Sequence, residues 1–177
     1  DENHVSTAHD LALFGQYAMK NQVFRTFVNT VTYTIPPTNK KDEARYLKNT
    51  NKLLFSTEKI NVDGNTIPIK YDSASGVKTG TTKYASHCLV SFAQNDGQRL
   101  ITTVLKSQGN NVYSDTHKLL NYGFNNFSNE VIGYKNEFIE NVEIENGIQK
   151  YVAGVLDQDL LFPLIADKID KIENKVV

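Results

Sequence analysis

Cysteine and arginine are scarce in this sequence, tryptophan is absent, and no long apolar run occurs. Cys88 is the single cysteine, so no intrachain disulfide can form, although this count neither proves nor excludes an exported protein. No apolar run reaches the roughly 18 residues that a membrane-spanning helix needs. A net charge of −1 and the lack of a basic stripe argue against a nucleic-acid partner. No metal-ligand spacing is present, and we expect neither a metal nor a cofactor.

The 177 residues are enough for one domain, or for one domain and part of another. Helical spacing of apolar residues, alternation at period two and turn residues mark the elements of the first part. The predicted elements are a capped helix over 6–20, a short helix over 22–29, a turn at 61–65, strands over 88–93 and 99–107 joined by a turn at 95–97, and a helix over 113–127. The fold class is therefore predicted to be α+β, with an antiparallel sheet and flanking helices.

Two details of these elements can be tested. Pro36-Pro37 should end any regular element that precedes it. The helix over 113–127 should bury an apolar side, and the residues expected on that side are Leu119, Leu120, Tyr122, Phe124 and Phe127.

After Asn129 the pattern changes to alternation at period two, interrupted by Gly147 and Gly154. This pattern predicts a small β module. The last stretch, "DKIDKIENKVV", is predicted to be a strand rather than a short helix. We therefore expect one domain over residues 1–128 and a truncated β-rich domain over residues 129–177.

The triplet Lys78-Thr79-Gly80 lies where the first strand of a three-strand meander is expected. On an edge strand beside a cleft, the Thr79 hydroxyl can bind a substrate carboxylate, and the Lys78 ammonium adds a compact positive charge. Gly80 has no side chain, so a peptide can pair with the strand from outside. The backbone N–H of Thr81 can then donate to a developing oxyanion. Three letters alone are weak evidence, since a solvated strand end has the same composition.

Four longer segments make the pattern specific: "HVSTAHDLALFGQYAMKN", "RYLKNTNKLL", "GVKTGTTKYASHCLVSFAQNDGQRLITTVL" and "KLLNYGFNNF". Their order and spacing over residues 4–127 resemble the later half of the D-alanyl-D-alanine carboxypeptidases, the low-molecular-mass penicillin-binding proteins of peptidase type S11. The β-rich remainder resembles the second domain of that family. The resemblance implies part of a penicillin-binding, β-lactamase-like (serine transpeptidase-like) domain, followed by part of a small β domain.

The family's catalytic set is a Ser-x-x-Lys, a Ser-x-Asn and a Lys-Thr-Gly. The first two lie upstream of the matched region, so the resemblance carries over only Lys78, Thr79 and Gly80 as catalytic residues. Substrate binding is expected from Lys78, Thr79 and the Thr81 N–H. Many relatives also have an arginine that helps to hold the substrate carboxylate, and Val112 lies near that position here. A complete carboxylate clamp is therefore in doubt, and Arg99 is expected to be structural.

Two Ser-x-x-Lys strings could conceal a nucleophile. Ser75 and Lys78 should lie on an extended strand, where residues i and i+3 point to opposite faces. Ser56 and Lys59 have the right spacing but run directly into a turn, whereas a nucleophile needs the start of a buried helix. We therefore expect neither serine to be the nucleophile.

The histidines and the cysteine offer no alternative. His87 and Cys88 are adjacent on a strand and should face opposite ways, so no thiol–imidazole pair is expected. Cys88 is predicted to be a small buried hydrophobe. The other histidines, His4, His9 and His117, are expected to be structural.

The expected function is that of a serine-type D-Ala-D-Ala carboxypeptidase, with this chain inactive alone. The implied partners are a peptidoglycan stem peptide ending in D-Ala-D-Ala and β-lactam antibiotics, at the extracellular face of the cytoplasmic membrane. The signal and the membrane anchor are expected to lie outside these residues. Three alternatives stay open: a non-catalytic peptide-binding module, a class A β-lactamase-like enzyme, and one part of a nicked two-chain enzyme.

The resemblance also implies that strands missing here would pair with the strand over residues 99–106. An uncovered edge of this kind recruits other strands. We therefore expect the chain to self-associate.

Overall fold

The structure is a computed structural model, and it describes residues 4–165. The elements of the first part are α1 (Ala8–Ala18), α2 (Gln22–Asn29), β1 (Thr32–Ile35), β2 (Arg45–Lys48), a 3₁₀ turn (Lys52–Leu54), β3 (Lys59–Val62), β4 (Asn65–Pro68), β5 (Ala74–Thr82), β6 (Ser86–Asn95), β7 (Gln98–Ser107) and α3 (Asn111–Asn126). Four strands follow: β8 (Phe127–Gly133), β9 (Phe138–Glu143), β10 (Tyr151–Val155) and β11 (Leu160–Ile165). The α+β prediction is confirmed.

The two N-terminal helices begin where side chains cap them. The Thr7 hydroxyl accepts from the Asp10 N–H at 3.1 Å, as the capping pattern predicts. The Asn21 side chain accepts from the N–H groups of Val23 and Phe24 and starts α2 at the predicted residue. β1 ends at Ile35, directly before Pro36-Pro37, as expected.

β5, β6 and β7 form the predicted antiparallel meander, in that order. The β6–β7 turn places Asp96 and Gly97 at positive φ, and the β3–β4 turn does the same with Asp63 and Gly64. Asn, Asp and Gly tolerate this backbone conformation best, which is why both turns were readable in the sequence. The sequence did not reveal the four short strands β1 to β4.

Both faces of the meander are packed. One cluster of buried side chains joins the meander to β3, β4 and the start of α3 and contains Leu53, Ile60, Val62, Ile69, Leu89, Val104, Val112 and Tyr113. A second cluster joins the other face to α1 and α2, with Met19, Val77 and Phe92 at its centre. In this second layer α1 approaches the sheet closely. A Cβ at Gly15 would lie 3.2 Å from Cγ1 of Val90 and 3.6 Å from Cγ2 of Ile101.

The predicted apolar side of the last helix is partly wrong. Leu120 is fully buried, but Leu119 and Tyr122 are 45% and 59% exposed. The buried face of α3 instead includes Ser114, Thr116 and His117. These polar groups are buried with partners: the Thr116 hydroxyl donates to the Val112 carbonyl at 2.7 Å, and His117 Nε2 bonds the Ile69 carbonyl at 2.9 Å.

The chain divides into two compact units between Gly123 and Phe124. In the second unit β8 pairs with β11 and β9 with β10, both antiparallel, which agrees with the predicted β module. The assignment of domains to residues 1–128 and 129–177 stays a prediction. The strand predicted for residues 167–177 lies outside the described residues.

Candidate active-site strand

Lys78, Thr79 and Gly80 lie in the middle of β5, the first strand of the meander, as predicted. They pair with Val90, Leu89 and Cys88 of β6. Within the described residues β5 pairs with no other strand, so the backbone groups of its outer edge have no strand partner. An extended peptide can add to such an edge.

The three triplet residues differ in exposure. Lys78 and Gly80 are exposed and Thr79 is half-buried, which agrees with the predicted alternation of faces. The Lys78 ammonium donates to the Thr79 carbonyl. The ion pairs of the described residues do not include Lys78, so its positive charge is not neutralised by a carboxylate there.

The Thr79 hydroxyl has a partner that the sequence did not reveal. It lies 2.5 Å from the hydroxyl of Thr50, in the segment "KNTNKLL". The carbonyl of Thr50 also accepts from the hydroxyl of Tyr113, at 3.5 Å. Burial raises the pKa of Tyr113 above its ordinary value of 10, so this phenol stays protonated at neutral pH and can donate.

Asn51 connects the same segment to β5. Its side chain is 1% exposed, and its Nδ2 donates to the carbonyl of Gly76 at 2.9 Å. Its Oδ1 accepts from the Leu53 N–H at 3.1 Å and caps the 3₁₀ turn. Asn51 therefore holds β5 two residues before the triplet. Three polar residues in a row, Asn49 to Asn51, were the available signal, but the bonds that join Thr50 and Asn51 to β5 span 29 and 25 residues.

The Gly76 backbone brings α2 close to the start of the triplet strand. Gly76 has a φ of +141°, and a Cβ there would lie 2.8 Å from Cγ2 of Val28. The Gly76–Val77 peptide bond is cis, and the pairing register of β5 shifts at this point. Glycine is therefore the residue that this position accepts.

Thr81 lies beside a histidine at the end of the strand. The Thr81 hydroxyl is 3.1 Å from Nδ1 of His87, its pairing partner on β6. The Cys88 thiol instead donates to the Ala85 carbonyl at 3.3 Å. His87 and Cys88 thus use different partners, in agreement with the prediction that they form no pair. Cys88 is half-buried, so the prediction of a buried hydrophobe is wrong.

Neither Ser-x-x-Lys string has the geometry of a nucleophile and its base. Ser56 is buried in the loop after the 3₁₀ turn and its hydroxyl accepts from the Glu58 N–H at 3.3 Å, while Lys59 is an exposed residue of β3. Ser75 faces a cavity formed with α2, and the Lys78 ammonium bonds a backbone carbonyl instead. That neither serine is the nucleophile stays a prediction.

An ion pair lies beside the segment of Thr50 and Asn51 that contacts β5. Lys52 and Glu58 are joined at 2.7 Å. The hydrogen bond from Lys52 holds the pKa of Glu58 below its ordinary value. This carboxylate is therefore charged at neutral pH and is paired with Lys52 rather than with Lys78.

An apolar cavity of about 390 Å³ opens beside the triplet strand, between it and α1 and α2. Its walls include Phe14, Phe24, Val28, Thr79 and Val90. This size is within the range of small-molecule sites.

Among residues 4–165, no group of three or more His, Cys, Asp or Glu side chains is placed to hold a metal ion.

Arg99 and Val112 occupy different surroundings. Arg99 is exposed on β7, and Val112 is 4% exposed within the first core cluster. A buried valine cannot supply the charge that an arginine would bring to a carboxylate.

In the part of the chain that the structure describes, no helix is long and apolar enough to cross a membrane.

Comparison with known proteins places these features in a family. Residues 1–109 match the family model of the peptidase S11 D-alanyl-D-alanine carboxypeptidases. A D-alanyl-D-alanine carboxypeptidase of Streptomyces sp. strain K15 is 39% identical over 123 residues, which are 67% of this chain and 38% of that protein. D-alanyl-D-alanine carboxypeptidase DacF of Bacillus subtilis is 26% identical over 153 residues, or 86% of this chain and 35% of that protein.

Solved structures agree with the sequence matches. The crystal structure of the Streptomyces K15 DD-transpeptidase has a TM-score of 0.55 at 39% identity and covers 68% of this chain and 42% of that one. Penicillin-binding protein 5 of Haemophilus influenzae has a TM-score of 0.67 at 21% identity and covers 97% of this chain and 45% of that one. The predicted fold and family are confirmed. The chain spans about two fifths of the length of these relatives.

Proposed function

Because this chain belongs to the peptidase S11 family of D-alanyl-D-alanine carboxypeptidases, we propose that it supplies the Lys-Thr-Gly strand of a serine-type D-Ala-D-Ala carboxypeptidase. The observation that carries the proposal is the open outer edge of β5, with Lys78, Thr79 and Gly80 at its centre. A stem peptide adds to this edge as a further strand. The nucleophilic serine comes from a Ser-x-x-Lys segment outside these residues.

Each triplet residue has a distinct role in this proposal. The unneutralised Lys78 ammonium attracts the terminal carboxylate of the peptide, and the Thr79 hydroxyl, positioned by Thr50, bonds it. Gly80 leaves room for the peptide backbone. The Thr81 N–H donates to the oxyanion that forms on the scissile carbonyl.

The reaction proceeds through an acyl-enzyme. The serine oxygen bonds to the carbonyl carbon of the penultimate D-alanine, the peptide C–N bond breaks, and the terminal D-alanine leaves as its nitrogen gains a proton. Water then hydrolyses the ester and restores the serine hydroxyl. A β-lactam acylates the same serine by opening its ring. We place the protein, with its stem-peptide substrate, on the extracellular face of the cytoplasmic membrane.

The intact mass after incubation with a penicillin tests this assignment. The chain alone should gain no adduct, and the same chain preceded by the Ser-x-x-Lys region of the protein should gain one. In that longer protein, Lys78→Ala should slow acylation about a hundredfold, the loss typical of one charge-stabilising group.

Lys83→Ala is the matched control for that measurement, because Lys83 is an exposed lysine of the same hairpin, just beyond the end of β5. It should leave the acylation rate unchanged. An adduct on the chain alone would place the nucleophile within these residues and contradict the proposal. Peptide affinity without acylation in the longer protein would indicate a binding module instead.

We also propose that the chain self-associates through β7. This strand pairs with β6 on one side and with no other strand among the described residues. Unpaired N–H and C=O groups along an edge bind other strands. Sedimentation at tens of micromolar should detect dimers or larger species, and a compact monomer there would contradict the proposal. Leu105→Lys, at a side chain that is 37% exposed, should reduce association because lysine protects edges.

A further inference from the structure

A second cavity, of about 390 Å³, lies between α1, α2 and the β6–β7 part of the sheet. Four basic side chains line it: His9, Lys20, Arg25 and Arg99. Among the residues that the structure describes, no aspartate or glutamate lines it, although acidic residues outnumber Lys and Arg in the whole sequence by 20 to 19. The cavity therefore concentrates positive charge in a protein that carries a slight negative net charge.

Arg25 is the basic side chain whose bonding is incomplete. One of its terminal nitrogens donates to the side-chain oxygen of Gln22. Its Nε is buried and has no hydrogen-bond partner within residues 4–165. A buried donor without an acceptor is costly, and a guanidinium can donate to two oxygens of one anion through a fork of parallel N–H groups. An anion in the cavity would supply an acceptor that this guanidinium lacks among the described residues.

The other basic groups leave their charges available. The ion pairs of the described residues include neither Lys20, Arg25 nor Arg99. Lys20 and Arg99 are exposed, so they can turn toward a ligand at the mouth of the cavity. His9 lies 3.9 Å from Asp10, which is the nearest carboxylate among these pairs.

Apart from Gln16, the rest of the described wall is apolar. Ala12, Leu13, Met19, Phe92 and Ile101 complete it, and Met19 and Phe92 belong to the second core cluster. A bare inorganic ion would leave this apolar surface in contact with water. An organic anion would cover it and would gain the free energy of burying its own apolar part.

We propose that this cavity binds a small organic anion, a phosphate or a carboxylate attached to an apolar group. The anionic group lies against the guanidinium groups of Arg25 and Arg99, and the apolar part lies against Phe92 and Ile101. The site is separate from the triplet strand, whose residues line the other cavity.

Isothermal titration calorimetry with phenyl phosphate tests the site, with phenylacetate as the carboxylate counterpart. Both should bind more tightly than inorganic phosphate, and benzyl alcohol, a neutral molecule of similar shape, should not bind measurably. Arg99→Gln and Arg25→Gln should each lower the affinity for phenyl phosphate about tenfold, since one charged hydrogen-bonding group is lost. Salt should weaken binding because three of the four basic side chains, His9, Lys20 and Arg99, are exposed.

Arg45→Gln is the matched control, because Arg45 is the third arginine and lies on β2, outside the cavity. It should leave the affinity unchanged. Arg25→Lys keeps the charge without the planar fork and should give an intermediate affinity if the fork binds the anion. No binding of either organic anion would overturn the proposal, as would equal losses in the Arg45 and Arg99 variants. Equal affinities for benzyl alcohol and phenyl phosphate would reduce the site to an apolar cavity and would also overturn it.

Discussion

Replacing Leu120 with alanine is expected to lower the free energy of unfolding by about 3–5 kcal/mol. Leu120 is 0% exposed at the centre of the buried face of α3. The truncation removes the burial of several methyl and methylene groups and leaves a cavity that the surrounding side chains fill only in part. Urea denaturation of the two proteins measures the difference.

Leu119→Ala is the matched control on the same helix. Leu119 is 45% exposed, so its truncation should change the free energy of unfolding by less than about 1 kcal/mol. Similar losses for the two variants would mean that α3 is rotated relative to the face described above.

Replacing Asn51 with alanine is expected to cost about 3 kcal/mol or more. The change leaves two buried groups without partners, the Gly76 carbonyl and the Leu53 N–H, and each costs about 1–3 kcal/mol. Because Gly76 lies two residues before Lys78, the triplet strand also loses its anchor. Thermal melting should show the loss of stability. In the longer protein that includes the Ser-x-x-Lys region, the rate at which penicillin forms an adduct should fall as well.

Asn61→Ala provides the comparison for Asn51. The Asn61 side chain accepts one exposed bond, from the Gly64 N–H at 3.2 Å in the β3–β4 turn. Water can replace that bond, so the expected loss is about 1 kcal/mol or less. If Asn51→Ala were no more destabilising than Asn61→Ala, the amide would not be the anchor of β5.

Local signals in the sequence were sufficient for the elements that local bonds define. Asn21 caps α2 through its own side chain, and Asp96 and Gly97 adopt the backbone that the β6–β7 turn needs. β2 was missed because all four of its residues are exposed, so no alternation of apolar and polar residues marks it. Its pairing with β1 is a tertiary effect.

The helix α3 was predicted, but its buried face was not. Apolar residues normally mark such a face, whereas here Thr116 and His117 are buried and Leu119 is largely exposed. His117 is accommodated because its ring bonds the carbonyl of Ile69, a residue 48 positions away. A contact over that distance has no local signature in a single sequence.

The candidate site, like the fold, could be predicted only where a local motif marks it. The triplet and its strand could be identified from their motif, but Thr50 and Asn51 meet β5 only through bonds that span 29 and 25 residues. The basic cavity was also hidden. Its lysine and two arginines are spread from residue 20 to residue 99, and only the packing of α1 and α2 on the sheet brings them to one cavity.

The close approach of α1 to the sheet at Gly15 sets a limit for inhibitor design. A side chain at Gly15 would meet Val90, in the wall of the apolar cavity, and Ile101, in the wall of the basic one. A compound grown from the first cavity toward the second would have to pass between helix and sheet. There, even one added methyl group on the helix would come within 3.2 Å of a side chain. Compounds directed at the triplet strand therefore cannot be extended beneath α1 without displacing the helix from the sheet.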